Sequence, residues 1–577
     1  MAPQPLRPTV TGTRHVIVAG HYLASQAGFQ ILEAGGNAID AGVAAGIALS
    51  VVESEMVSFA GVAPIILYMA EPQEIVTISG LGGWPRAASC EYFHEHHGGA
   101  IPKGIARTVV PGAPDAWITA LERYGTMAFG EVAADAIRFA RGGIAMYPLL
   151  ADWIASQEET LRAWPTSAAV FLPKDRPPGV GELFVQDDLG RMLQFLADEE
   201  AAHAGKGRAA GLEAVRHAFY RGDIAAAIVK FHEENNGLMT AADLAEFRVG
   251  VEPPVSTRFA DIDVYGCGPW CQGPMLLQEL NIVEELDLAD LGHNAPAYIH
   301  GLTEAIKLAA ADRDAHYGDP RFVDVPIDAL LDKGYAARRR ALIRPDKAWA
   351  EMPPAGDAGP RRSVDRVPAA QPGDPADGLD TSYVCVVDKD GNAFSATPSD
   401  SSLQTPLIPG LGLAPSPRGA QSWTDPAHTS AIAPGKRPRL TPNPALAIRP
   451  GETVMPFGTP GGDVQTQMML QVFLNVFVFG MDPQTAVEAP RFATHSFPAT
   501  HAPHAEEPGS LYLQGNTAPE TAQALAALGH DIHWWPEGGP ENTSMDINGV
   551  CLVRHDVKSG LRTAGADPRR VAYGLGW

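Results

Sequence analysis

Apolar residues recur with two different periods along this chain, and the balance between them changes near residue 380. Upstream the helical period dominates. A short apolar run at 15–18 predicts a strand, and 23–33 reads as an amphipathic helix that stops at Gly35-Gly36. Asn37 then predicts an N-cap for a helix over 38–52, with Asp40 in its first turn. That segment is apolar on every side, so it must lie buried between layers. Residues 64–69 and 74–79 alternate as paired strands. Residues 111–145 and much of 187–248 are helical, and 297–317 places Leu302, Ile306 and Ala309 on one face. Downstream of Thr381 the two-residue period takes over, at 381–387, 392–397, 444–449, 453–457 and 549–555, with helices at 463–480, 483–490 and 518–528.

Strands contributed by both halves, with helices outside them, predict an α+β fold: a four-layer αββα sandwich. No internal repeat is visible. At 577 residues the chain suits two domains or one large layered one. A hydrophobic fraction of 45% describes a soluble globular protein, and a net charge of -24 argues against nucleic acid as a partner. The basic clusters Arg338–Arg340, Arg361-Arg362 and Arg569-Arg570 are short and read as solvated surface. No basic region followed by an apolar run opens the chain and no apolar run reaches membrane-spanning length, so the expectation is a cytoplasmic protein without a membrane partner. Five cysteines, odd in number, suit a reducing compartment; Cys267 and Cys271 read as packing rather than as metal ligands.

Residues 351–380 break the pattern. They hold six prolines and four glycines among charged residues, with no apolar period, and they run straight into a buried strand. This predicts a flexible segment ending at the strand that Thr381 opens. Cleavage before Thr381 would give that threonine a free α-amine beside its own hydroxyl, a nucleophile and a base in one residue. An α-amine with a pKa of about 7.7–8.0 is partly neutral near pH 7 and able to accept the hydroxyl proton. Thr397, Ser399 and Ser401 end the second strand of the hairpin, whose turn is Asp388-Lys-Asp-Gly391. Oxyanion donors would come from Gly458-Thr-Pro-Gly-Gly-Asp463, a turn leading into a helix. The same turn is open to reading as a plain helix entry or as a phosphate loop, although the Gly-Lys-Ser/Thr ending of a P-loop is missing.

Other polar groups carry less. His94-Glu-His-His97 and His501-Ala-Pro-His504 read as solvated loops rather than metal sites. Trp534-Trp-Pro536 reads as packing. Asn542-Thr-Ser544 fits a glycosylation acceptor pattern but has no secretion signal to go with it. No cofactor or metal is implied.

Thr381-Ser-Tyr-Val-Cys-Val-Val-Asp388 with Asp390-Gly-Asn392 resembles the start of the small subunit of γ-glutamyltransferases, N-terminal-nucleophile hydrolases made as one self-cleaving precursor. Ordered matches run along nearly the whole chain: Gly35-Gly-Asn-Ala-Ile-Asp-Ala41, Val110-Pro-Gly112, Tyr124-Gly-Thr126, Ala311-Asp-Arg313, Gly318-Asp-Pro320, Lys436-Arg-Pro438, Gly458-Thr-Pro-Gly-Gly462, Ala489-Pro-Arg-Phe492 and Ala566-Asp-Pro-Arg569. The resemblance implies a large subunit over 1–380, a small subunit over 381–577, and a heterodimer of the two that is itself open to pairing. It implies Thr381 as the processing and catalytic nucleophile, and Ser399 as the hydroxyl bonded to it. Thr397 would support processing, and Gly461 and Gly462 would supply the oxyanion amides. Ser401 stands where the family holds its donor substrate with an asparagine, and Asp463 adjoins the oxyanion turn.

The substrate-binding positions depart from the family. The loop expected to carry the arginine for the γ-glutamyl carboxylate reads Ser79-Gly-Leu-Gly-Gly-Trp-Pro-Arg86, with Arg86 late. The paired serines read Leu440-Thr441, and the stretch expected to hold an acid for the α-amine reads Ser416-Pro-Arg-Gly-Ala-Gln-Ser-Trp423. Glycine offers no bidentate clamp. Arg418, or Arg86 if its loop turns inward, would then face an anionic acyl group, with Thr441 at the substrate-binding position of the paired serines. The reading is a threonine amidohydrolase/acyltransferase that takes a small amide, γ-glutamyl-like or otherwise, and passes its acyl group to water or an amine. A true γ-glutamyl transpeptidase (glutathione hydrolase), an unprocessed binding protein of the same fold and a nucleotide-binding protein using the 458–463 turn remain the alternatives.

Overall fold

The computed structural model describes residues 5–359, 380–535 and 549–577. Two seven-stranded antiparallel sheets lie face to face. The first runs Val10–Gly12, Arg562–Ala566, Cys551–Asp556, Thr453–Gly458, Ala445–Arg449, Ile262–Gly266, Val255–Phe259. The second runs Tyr573–Gly576, Val16–Ala19, Val384–Val387, Ala393–Ala396, Ile65–Met69, Glu74–Ile78, Val251–Glu252. Both sheets take strands from before and after residue 380, as the split of strand patterns along the sequence requires.

Three apolar layers follow from this stacking. Between the sheets pack Val16, Val18, Ile66, Tyr383, Cys385, Leu446, Val454 and Val553. Outside the second sheet lies the helix Ala38–Val52, every residue of which is buried. It is apolar all round because the sheet lies beneath it while Ala113–Tyr124 and Phe129–Gly142 pack beside it. Asn37 caps it as expected: its Oδ1 accepts from Ile39 and Asp40 N–H at 2.9 and 3.0 Å, while its own N–H donates to Asp40 Oδ2 at 3.0 Å. The helix sits so close to its sheet that a Cβ at Gly42 would come within 2.2 Å of the Phe394 ring. Outside the first sheet, Gly273–Val283, Pro296–His316 and Gln465–Phe477 form the opposite helical layer, with Leu302, Ile306 and Ala309 in its core. The architecture is the αββα sandwich.

Several local expectations are corrected. Residues 90–97 are not a loop but a helix, Cys90–His97, capped by Ser89 and closed by left-handed Gly98. Its His94 Nε2 and His96 Nδ1 are hydrogen-bonded to the carbonyls of Thr424 and Tyr92. The segment 501–504 is not solvated: His504 is buried and stacks on Trp423 with ring centroids 3.8 Å apart. Trp534 and Trp535 do pack on the core, from a strand, Asp531–Trp535, in a small three-stranded sheet that the pattern missed. All five cysteines are free and buried. Residues 361–362, most of the segment 351–380, Pro536 and 542–544 lie outside the described residues. No helix among the described residues is long and apolar enough to cross a membrane.

Candidate active site

The hairpin register decides where the hydroxyls meet. Val384 pairs with Ala396, and continuing that register three residues outward sets Thr381 opposite Ser399. The ladder is prolonged by Ser382 N–H donating to Pro398 O at 2.9 Å. Thr381 Oγ1 and Ser399 Oγ stand 2.7 Å apart, both buried. The regular strand begins only at Val384, because Thr381 leaves the β region: its φ is +126°, and its N–H donates to Met56 O at 3.1 Å. A β-branched residue at such a φ is strained. Asp400, beside Ser399, is a second strained residue, at φ +85°.

Arg418 completes the group from the short 3₁₀ turn Arg418–Gln421. Its side chain is 1% exposed. Nε donates to Asp400 Oδ1 at 2.6 Å, and Nη2 donates to Ser399 Oγ at 2.5 Å and to Asp380 Oδ2 at 2.8 Å. Nη1 is buried without a hydrogen-bond partner. Burial pulls the guanidinium pKa down, but Asp380 and Asp400 outweigh it and leave the group firmly charged. Burial raises the Asp400 carboxyl; Arg418 opposes the rise and Asp380 adds to it.

The glycine turn is fixed from three directions. Gly461 and Gly462 take φ of +122° and +54°, values open to glycine. Gln272 Nε2 donates to Gly462 O at 2.8 Å and to Thr441 O at 2.9 Å. Asp463 accepts from Arg313 Nη1 at 2.5 Å, from Thr500 Oγ1 at 2.6 Å and from Thr500 N–H at 2.7 Å. Burial would raise its carboxyl, but Arg313 and Thr500 hold it down to about 2. Thr441 is bound on both sides by Gln421, whose Nε2 donates to Thr441 Oγ1 at 2.7 Å and whose Oε1 accepts its N–H at 3.1 Å. Gln421 Nε2 also lies 3.1 Å from His501 Nε2. Burial lowers the His501 pKa; Asp380 raises it, and Arg418 and Arg107 lower it further, which places this ring in the field of the same group.

Arg86 does not turn inward. Its side chain is 59% exposed and paired with Glu246, while its N–H donates to Asp243 Oδ1 at 3.0 Å. The early-strand loop runs on glycines, so the side chain that follows it is carried past the site. Ser401 Oγ is occupied locally, accepting the Leu403 N–H at 3.1 Å. Asp463 serves Arg313 and Thr500 rather than an open cavity. Thr397 is buried, and its Oγ1 has no hydrogen-bond partner. Asp380, Asp400, Gln272, Gln421, His501 and Arg107 belong to the site's surroundings and were missed. Only Asp380 and Asp400 had a local signal, as acids flanking the hairpin's hydroxyl positions; the rest arrive from distant segments.

A strained threonine leading into a central strand of an αββα sandwich, its hydroxyl bonded to a second hydroxyl, belongs with amide-bond hydrolases of the N-terminal-nucleophile fold. A sequence model of the gamma-glutamyltranspeptidase family matches residues 24–577, and the chain belongs to that family. It is 33% identical over 583 residues to the Acylase ACY 1 proenzyme of Pseudomonas sp. (strain SE83), covering 96% of each chain. It is 31% identical to the Glutathione hydrolase-like YwrD proenzyme of Bacillus subtilis (strain 168), covering 98% of this chain and 99% of the relative. The crystal structure of the cephalosporin acylase from Bacillus halodurans superposes with a TM-score of 0.85 at 27% identity, covering 100% of this chain and 98% of that one. The chain is an autoprocessed amidohydrolase/acyltransferase.

Proposed function

We propose that Thr381 is both the self-cleavage nucleophile and the acyl-transfer nucleophile, and that the acyl group it takes carries a negative charge read by Arg418. The observation that carries this reading is the 2.7 Å contact between Thr381 Oγ1 and Ser399 Oγ at a strained residue that directly follows Asp380. In processing, Thr381 Oγ adds to the Asp380 carbonyl carbon and the Asp380–Thr381 C–N bond breaks. The nitrogen keeps its proton and gains the hydroxyl's, becoming the α-amine of Thr381. Water then hydrolyses the ester, giving Asp380 a carboxylate and returning the hydroxyl. Relief of strain at Thr381 favours this direction.

In turnover the same hydroxyl attacks the substrate amide while the α-amine takes its proton and passes it to the leaving nitrogen. The amides of Gly461 and Gly462 carry the oxyanion, a role in which a single donor is typically worth about 10²–10³ in rate. Ser399 holds the attacking oxygen, and Thr397 supports processing from the strand end. The exposed Arg86 weighs against a γ-glutamyl clamp, and the buried, charged Arg418 favours an anionic acyl group. The pieces 1–380 and 381–577 are the subunits of the heterodimer.

Denaturing electrophoresis with N-terminal sequencing tests this. Two bands are expected, the smaller beginning Thr-Ser-Tyr-Val. Thr381→Ala should give one band, and Thr381→Ser should still cleave. A single unchanging band from the wild-type chain would overturn the reading.

A further inference from the structure

Asp380 is the one residue that presents both an amide carbonyl to Thr381 and a carboxylate to Arg418. Its carbonyl carbon carries the bond to Thr381, and its side-chain Oδ2 accepts from Arg418 Nη2 at 2.8 Å. Two carbons, Cα and Cβ, separate the carbonyl from the carboxyl group, which is the skeleton of a succinyl group. Resting on the proposed role of Thr381, we propose that Asp380 is a built-in template for the substrate: the mature site takes monoamides of a four-carbon dicarboxylic acid, with the free carboxylate seated on Arg418 where the Asp380 side chain sits before cleavage.

The guanidinium is arranged for this exchange. Asp400 takes its Nε side at 2.6 Å and also pairs with Nη2. Nη2 has its other bonds to Ser399 Oγ and Asp380, and Nη1 is buried and unpartnered. The Nη1–Nη2 edge therefore faces the place that Asp380 holds through a single oxygen. Cleavage makes Asp380 the end of its own piece. Once it leaves, that edge of a fully buried cation has lost its anion, and Asp400 alone remains on the other. An incoming carboxylate replaces the Asp380 carboxylate charge for charge and can take both nitrogens at once. A neutral acyl group leaves the edge desolvated and unpaired, which costs more than the contact itself is worth.

Distance sets the chain length. Thr381 Oγ1 and Arg418 Nη2 share Ser399 Oγ as a hydrogen-bond partner, so they stand no farther apart than two hydrogen bonds end to end, roughly 5 Å. Under that ceiling an acyl group one carbon longer than the template must buckle to keep both ends in place, and one carbon shorter departs from the spacing that Asp380 itself holds. The reaction balances without any further reactant. The amide C–N bond breaks, the amine leaves with the proton taken from Thr381 Oγ, and water cleaves the ester to release the dicarboxylate.

The test uses protein already shown by electrophoresis to be in two pieces, with the malonyl, succinyl, glutaryl, γ-glutamyl and butyryl p-nitroanilides as probes. The succinyl compound should lead the malonyl, glutaryl and γ-glutamyl compounds by at least about tenfold in kcat/KM. It should lead its uncharged four-carbon counterpart, the butyryl compound, by about 10²-fold, the scale of a lost buried charge contact of some 2–3 kcal/mol. Free succinate should inhibit more strongly than free butyrate. Arg418→Lys should lose most of the preference between succinyl and butyryl compounds. Because that variant is also at risk of failing to process, the rate of self-cleavage of Asp380→Glu gives an independent reading. Lengthening the template by one carbon should slow cleavage more than tenfold, as should Asp380→Asn, which removes its charge. Two pieces with a flat acyl preference, or with glutaryl, γ-glutamyl or butyryl turnover equal to succinyl, would overturn this inference alone. A wild-type chain that stays in one piece would overturn it together with the role of Thr381.

Discussion

At the scale of the residue, the site is a short series of hydrogen bonds from Arg418 through Ser399 to Thr381. Ser399 Oγ accepts from the guanidinium and stands 2.7 Å from Thr381 Oγ1, a contact in which either hydroxyl can donate. The contact fixes where the threonine oxygen points. Ser399→Ala should therefore leave Thr381 in place but unoriented. We expect self-cleavage and amide turnover both to slow by about 10²-fold, within the range typical of a positioned proton-transfer partner. Densitometry of the precursor band over time and steady-state rates on the processed fraction measure the two. Unchanged rates would mean that strain at Thr381, and not the Ser399 contact, sets its reactivity. Thr381 and the glycine turn stood out in the sequence because each is local, a hydroxyl after a proline-rich break and adjacent glycines before a helix, whereas Ser399 was singled out by the family resemblance. Arg86 was misjudged because sequence distance from a strand says little about where a glycine-borne loop sends the next side chain.

At the scale of the element, what fixes the site is the way helices hold the glycine turn. The helix Pro296–His316 delivers Arg313, whose guanidinium reaches Asp463 at the entry of Gln465–Phe477 and lies over the Phe497 ring at 5.1 Å. Arg313→Met would strand the Asp463 carboxylate in the interior. Breaking a buried pair on one side typically costs about 3–5 kcal/mol. We expect that scale of loss in denaturant unfolding above pH 4, together with a drop in kcat. The low Asp463 pKa means that the pair's contribution is present above the ordinary aspartate range and lost as pH falls toward about 2. The two unfolding curves should therefore converge in acid. Glu279 works in the opposite sense. It is buried on Gly273–Val283, accepts from Thr466 Oγ1 at 2.9 Å, and burial pushes its carboxyl up to about 8. A raised carboxyl favours folding below the ordinary glutamate range, near 4.3, and that benefit is lost as pH rises toward about 8. Glu279→Gln should flatten the fall in stability between those limits. An unaltered slope would show that Glu279 is ionised in the folded chain. Arg313 entered the sequence reading only as part of the Ala311-Asp-Arg313 match and Glu279 not at all, since a charge on an apolar helix face reveals its partner only once the helices are packed.

At the scale of the whole molecule, the layered sandwich was legible because strand and helix periods are strong on both sides of residue 380. The small sheet containing Asp531–Trp535 was not, because Phe492–Ala493 is only two residues long and Asp531–Trp535 is only half-buried. The interleaving of the two halves has a mechanical result. In the second sheet Val384–Val387 is paired on one side with Val16–Ala19, and its hairpin partner Ala393–Ala396 is paired with Ile65–Met69. In the first sheet Ala445–Arg449 pairs with Ile262–Gly266, and Val10–Gly12 pairs with Arg562–Ala566. Separating the pieces at 380 would thus open both sheets and the apolar layer between them, and would split the helical layer on the first sheet, leaving the small piece without a core of its own and the large piece with only the helical packing over its own strands. The processed protein should elute from a sizing column as one species containing both bands in equal amounts, and stay so in high salt, which weakens surface pairs but not buried ladders. Urea should dissociate and unfold the two pieces in a single transition, with circular dichroism and elution volume changing at the same midpoint. Dissociation well before loss of secondary structure would mean that the pieces are independent domains joined at a surface.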